Sequence, residues 1–214
     1  QWGAPPLRGV NEDDKRYPLR RFLDVNSTKT IGVNMEALAW AKDDYLGGLI
    51  KHYNSDPTRW KDEVKTLTEF QVVSGIPDCK YVNALNMSSS MGKHLGGSKN
   101  KYAVQLQDGS WVFDDIVMKE FWARDKKWRQ GERTFEPAFM NPKVEPTESE
   151  KIARGKCRVF FAYGTVTQML IRKYSLTIVR MFCMLSSTTE VGVGLNPHST
   201  RWNEILECFN TFNG

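Results

Sequence analysis

Lys143-Val-Glu-Pro-Thr-Glu-Ser-Glu-Lys-Ile-Ala-Arg-Gly-Lys-Cys-Arg158, running on into Val159-Phe160-Phe161-Ala162, is the stretch on which the reading of this chain turns. Five cations fall within its first sixteen residues and lead into an apolar run of aromatic and β-branched residues. That order predicts a basic loop feeding a buried strand over 155–162. A loop held against a strand can place cations accurately. Glu145, Glu148 and Glu150 are interleaved with them, a pattern that pairs some cations and fixes their direction while leaving others for an anionic ligand. A solvated surface loop of mixed charge is the alternative.

Outward from this stretch, composition sets the bounds. At 214 residues, 40% hydrophobic and 12% aromatic, the chain has a globular composition and can bury a sizeable core. The net charge of +5 and pI near 9.0 lean toward polyanions, with the clustering of charge carrying the information. Four cysteines, Cys79, Cys157, Cys183 and Cys208, and three histidines are scattered without metal-ligand spacing, so no zinc site is predicted. With no secretory segment opening the chain, free thiols in a reducing compartment are expected. Arg172, Lys173 and Arg180 interrupt the longest apolar helix candidate, so no membrane span is expected.

Residues 1–33 are rich in Pro, Arg and Asp and lack periodicity, which predicts an irregular arm lying on something else. Leu38, Ala41, Tyr45, Leu49 and Tyr53 recur at helical spacing and predict a helix over 35–53. A short helix is expected over 58–64, and 68–75 reads as a capped helical turn closed by Gly75. Residues 86–101 hold three glycines and three lysines among small hydroxyl residues. A phosphate-binding loop would need glycine at Met87 and a hydroxyl at His94, so that motif is rejected. What remains is a loop that a sugar-phosphate backbone could approach closely, or an ordinary surface loop. A hairpin around Asp108-Gly109 and an amphipathic helix over 115–129 follow, the latter with Phe121, Trp122 and Trp128 among basic residues. Those aromatics could stack on bases or pack in a core. Beyond the strand, Val166, Leu170, Tyr174, Ile178, Met181, Phe182 and Leu185 predict one buried face of a helix over 165–185. The glycines at 192 and 194 are only a fragment of a dinucleotide fingerprint, with Pro197 at the third glycine position. A last helix is expected over 199–209, with Ser199 at its N-cap and Trp202 on its buried face. No repeat or Gly/Ser linker interrupts the chain, so one connected unit is expected. Its class is mixed α/β and helix-rich, without a closed barrel or doubly wound sheet.

Lys143-x-Glu145, Lys151, Gly155-Lys156-x-Arg158, Arg172 fourteen positions on, and Gly194-x-Asn196-Pro197 with Trp202 together resemble the fingers of RNA-dependent RNA polymerases from picorna-like positive-strand RNA viruses. In that family the element resembling 143–158 is motif F, the roof of the nucleotide tunnel. Residues 67–75 and 85–92 resemble the motif G region, which guides the template strand. The chain departs from the family in two places. Ser89-Ser90-Met91-Gly92-Lys93-His94 stands where relatives have Thr-Ser-x-Gly-Tyr-Pro, and Thr147 stands at a position that is often basic.

The resemblance implies the following roles. Lys143, Glu145, Lys151, Lys156 and Arg158 would bind the incoming nucleotide, with Glu145 bracing a neighbouring cation. Ser89, Ser90, Gly92, Lys93, Lys99 and Lys101 would bind template RNA. Arg172 would tie fingers to palm through a buried pair, and Trp202 would be structural. No aspartate follows Asp125, and by the family's pattern the first metal-binding aspartate is expected a few residues beyond Gly214. The resemblance therefore implies a segment of a right-hand polymerase: fingers over 1–187, the start of the palm over 188–214, and no catalytic residue. It would not polymerise by itself, and Mg2+ or Mn2+ belongs to the complete polymerase. Implied partners are template and product RNA, nucleoside triphosphates, and the remaining palm and thumb; the implied place is the host cytoplasm, within viral replication complexes. From the residues alone, a stand-alone single-stranded RNA-binding module stays open.

Overall fold

The computed structural model describes residues 2–3, 23–24, 27, 32–92, 94–189, 191–193, 195–196 and 198–211. Lys93, Gly194, Pro197 and most of the 1–33 arm lie outside the described residues, as does the side chain of Cys208. Backbone contacts divide the chain into two compact units, one of 1–33, 92–94 and 135–164, the other of 34–91, 95–134 and 165–214. The expectation of a single connected unit is thereby corrected. Each unit is assembled from separated segments, so no linker composition marks a boundary.

All the buried hydrophobic side chains among the described residues belong to the larger unit. Its core joins Leu67, Val72, Val73, Val82, Met87, Met91, Phe113, Val117, Met118, Phe121, Val166, Met169 and Leu170. Helix Asp115–Arg129 is capped by the Asp114 carboxylate, which accepts from Val117 N at 3.1 Å, and it packs beside helix Thr165–Met184. The short helix Glu69–Ser74 has a reciprocal capping box: Gln71 N donates to Thr68 Oγ1 and Thr68 N to Gln71 Oε1. It ends at Gly75, whose φ of +72° suits a residue without a Cβ. A two-stranded hairpin, Ala103–Gln105 with Trp111–Phe113, completes the packing, and a 3₁₀ turn, Lys99–Tyr102, feeds it. The helices Met35–Ser55, Pro57–Glu63, Ser186–Thr189 and Arg201–Thr211 also lie in this unit.

In the smaller unit, Phe139–Pro142 pairs antiparallel with Val159–Ala162, and Lys143 N extends the ladder by donating to Arg158 O at 2.8 Å. Trp2–Gly3 pairs antiparallel with Thr147–Glu148, so the described start of the arm does lie on another element. Helix Ser149–Ala153 follows directly. The predicted buried strand is corrected here. Strand geometry covers only Val159–Ala162, and Phe160 and Phe161 are 50% and 54% exposed. Successive strand residues face opposite sides, so each face of this ribbon is partly open at these two rings. The whole is helix-rich and mixed α/β, its strands forming three separate two-stranded ribbons among the described residues.

Candidate nucleic-acid interface

The cation loop is organised by its glutamates, as the interleaving predicts. Lys143 Nζ lies 2.6 Å from Glu145 Oε2, and Arg158 Nη1 lies 3.1 Å from Glu145 Oε1. Lys151 pairs with Glu148 at 3.0 Å, and Arg154 with Glu150 at 2.5 Å. Lys156 has no ion-pair partner among the described residues, and its backbone N–H donates to Lys151 O at 2.9 Å. The hydrogen bond from Lys143 and the Arg158 charge hold the Glu145 carboxyl below the usual carboxylate range, against the opposing effect of desolvation. Burial pushes the neighbouring Cys157 thiol up, so it is not an activated nucleophile. The result is an electropositive surface with its cations aimed: Arg158 stays 74% exposed while one nitrogen is tethered. Such a surface suits a triphosphate.

The loop resembling the template guide is ordered by bonds within the larger unit. Ser90 and Ser98 form an antiparallel bridge, Met91 N donates to Gly97 O at 2.8 Å, and Lys99 N to Ser89 O at 2.9 Å. Lys99 overturns an expectation. Its side chain is 2% exposed, and its ammonium donates to Ser89 Oγ at 2.7 Å and to Ser90 O at 2.9 Å. A buried lysine cannot present its charge to a phosphate, so Lys99 is removed from the template-facing set. Lys101 is exposed. Gly92 acquires a different reason to be glycine. Its φ is +97°, and a Cβ there would meet Gly164 Cα at 2.8 Å, so what approaches closely is backbone of the smaller unit, to which both glycines belong.

Two further expectations change. Among the described residues Arg172 makes no ion pair: its guanidinium donates to the carbonyls of Val72, at 2.8 Å, and Asn83, and burial lowers its pKa. The buried pair sits one residue along, where Lys173 Nζ meets Asp125 Oδ2 at 2.8 Å with both side chains less than 9% exposed. Tyr174 donates to the other Asp125 oxygen at 2.5 Å. The signal was legible: Asp125 continues the Val117–Phe121 stripe of one helix, and Lys173 continues Val166–Met169–Leu170 of the other. The face expected through Tyr174 and Ile178 is rotated from the one the helix buries, and Ile178 is 40% exposed. Trp202 is 47% exposed and donates from Nε1 to Asn196 O at 3.2 Å, on a helix that starts at Arg201, so its predicted burial is corrected.

Among the described residues no group of three or more His, Cys, Asp or Glu could hold a metal ion, so the divalent metal implied by the resemblance finds no ligand set there. Among them also, no helix is long and apolar enough to cross a membrane, and Cys79, Cys157 and Cys183 are free thiols.

No family model matches the chain. In sequence it is similar to the replicase polyprotein of Acute bee paralysis virus (strain Rothamsted), 26% identical over 152 residues that make up 69% of this chain and 8% of that one. In fold it is similar to the Sicinivirus 3Dpol RNA dependent RNA polymerase, with a TM-score of 0.53 and 18% identity over 63% of this chain and 27% of that one. The chain thus spans a small part of each protein it matches. Both comparisons are to viral replication proteins, in line with the resemblance drawn from the motifs, and the fold is similar to part of a viral RNA-dependent RNA polymerase.

Proposed function

We propose that this chain is a segment of a viral RNA-directed RNA polymerase, comprising its fingers over 1–187 and the start of its palm over 188–214. In this reading the 143–158 loop binds the incoming nucleoside triphosphate and the 86–101 loop guides template RNA. The observation that carries it is the shared Glu145 carboxylate, which orients Lys143 and Arg158 together while Lys156 stays unpaired among the described residues. Phosphoryl transfer asks a protein for positioning and charge neutralisation, and aimed cations supply both. The likeness in fold supports a polymerase segment over a stand-alone RNA-binding module. Template and product RNA, the other polymerase subdomains and a replication complex in the host cytoplasm are the partners and setting this reading carries.

The test is steady-state incorporation by the complete polymerase carrying this segment. Lys156→Ala is expected to raise the nucleotide KM roughly tenfold through loss of one charge-assisted contact, with template affinity unchanged. A wild-type nucleotide KM would remove the loop from the nucleotide site.

A further inference from the structure

We propose that Lys99 is a positioning residue of the template loop, a buried cation that holds Ser89 and Ser90 in place and meets no RNA itself. This rests on the template reading of residues 86–101. The Lys99 ammonium donates to Ser89 Oγ and to Ser90 O. Ser89 Oγ in turn donates its proton to Asn86 O at 2.6 Å, so the hydroxyl's hydrogen is committed inside the loop. Ser90 O also accepts from Thr165 Oγ1 at 3.5 Å, and Met91 O from Thr165 N at 3.0 Å; Thr165 is itself 1% exposed. The main chain adds Lys99 N to Ser89 O and Asn100 N to Met87 O, both at 2.9 Å.

A lysine buried to this degree is uncommon, and here its partners are a hydroxyl and a carbonyl. Burial accordingly lowers its pKa. Removing the ammonium would leave Ser90 O and Ser89 Oγ short of a buried donor, and the loop would relax toward water to recover one. The Ser89 hydroxyl, read from sequence as a template contact, becomes part of this latch. Lys101, two residues on and exposed, is the cation of this turn that faces solvent.

The experiment uses the complete polymerase carrying this segment, a short single-stranded oligouridylate as probe, and binding measured over a range of salt concentration. Lys99→Met keeps the length of the side chain and removes its donors. It is expected to weaken RNA binding roughly five- to thirtyfold with an unchanged salt slope, while nucleotide KM per active site stays at wild type. Lys101→Ala is expected to reduce the magnitude of the slope by about one charge. Ser89→Ala should weaken binding less than Lys99→Met and add almost nothing on top of it, because both remove the same latch. Amide exchange at Met91, Lys99 and Asn100 should speed up in both variants, a readout that does not require Lys99→Met to be fully stable. A slope change of about one for Lys99→Met, matching Lys101→Ala, would make Lys99 a phosphate contact and overturn the proposal. Wild-type RNA affinity in Lys99→Met, with Lys101→Ala still impaired, would overturn it alone. Wild-type affinity in both would overturn the template reading with it.

Discussion

Arg158 and Lys143 lean on one carboxylate, and that shared partner decides how each can act. Glu145 accepts from both, so it fixes the separation of the two cations while its own charge offsets only one of them. The positive charge left over is directed outward. In the complete polymerase, Arg158→Ala should lower nucleotide incorporation efficiency roughly ten- to a hundredfold, read by pre-steady-state incorporation on a pre-bound primer-template as nucleotide concentration is varied. Glu145→Gln should act less severely and on both neighbours. Lys143 and Arg158 would lose their common anchor, and adding Arg158→Ala to Glu145→Gln should then cost clearly less than it does in wild type, the non-additivity expected of one network. Additive losses would mean that Glu145 and Arg158 work independently. The interleaved glutamates let this arrangement be read from residue order. The inward turn of Lys99 could not be read, because a lysine among glycines and serines carries the same local signal whether it faces solvent or the interior.

Two helices of the larger unit are joined by an ion pair seated on their apolar stripes. Asp125 and Lys173 sit on the apolar stripes of Asp115–Arg129 and Thr165–Met184, and Tyr174 satisfies the second carboxylate oxygen. Asp125→Ala should destabilise the fold by about 3–5 kcal/mol, since it leaves a buried ammonium without its counter-charge, whereas Asp125→Leu with Lys173→Met should cost far less. Desolvation pushes the Asp125 carboxyl up, yet the hydrogen bonds from Lys173 and Tyr174 and the charges of Lys173 and Arg129 outweigh it and hold it below the usual range. A carboxyl held low in the folded state contributes stability above its unfolded pKa and loses it as pH falls through the folded value. Urea midpoints should therefore drop on this account only below about pH 4, and the drop should shrink in the Leu/Met double variant. Gly75, the C-cap of Glu69–Ser74, offers a second check. Its φ of +72° and the place where a Cβ would lie, 2.6 Å from Ala84 N, leave no room for a side chain. Gly75→Ala should cost about 1–3 kcal/mol in backbone strain, with overlap adding to it, measured by the same midpoints.

Among the described residues, the buried hydrophobic side chains are concentrated in the larger unit and much apolar surface is left open. Leu38, Trp40 and Ile50 on helix Met35–Ser55, and Leu206 and Phe209 on helix Arg201–Thr211, are between 49% and 72% exposed. Surface of this kind favours association. The isolated chain of 214 residues is expected to bind an apolar fluorescent dye and to self-associate with rising concentration, as followed by sedimentation velocity. Trp40→Lys together with Phe209→Lys should reduce both signals. A monomer without dye binding at every concentration would contradict it.

Residue order is enough for the helices read over 35–53, 115–129 and 165–185, which run over Met35–Ser55, Asp115–Arg129 and Thr165–Met184, and for the capped turn at Gly75, the hairpin around Asp108-Gly109 and the paired cation loop, because each depends on periodicity, caps or charge order within a few turns of chain. The resemblance to picorna-like polymerases was legible too, since motif spacing is a property of residue order. It took the folded chain to show that Lys99 turns inward, that Gly92 is glycine for the sake of Gly164 and that Phe160 and Phe161 stay exposed. Each of these depends on what a distant segment places opposite the residue, and polarity along the chain does not encode that partner. The physical reason is desolvation: a cation or a phenylalanine is worth burying only when the facing segment supplies its hydrogen bonds or its packing, and that supply exists only once the chain has folded.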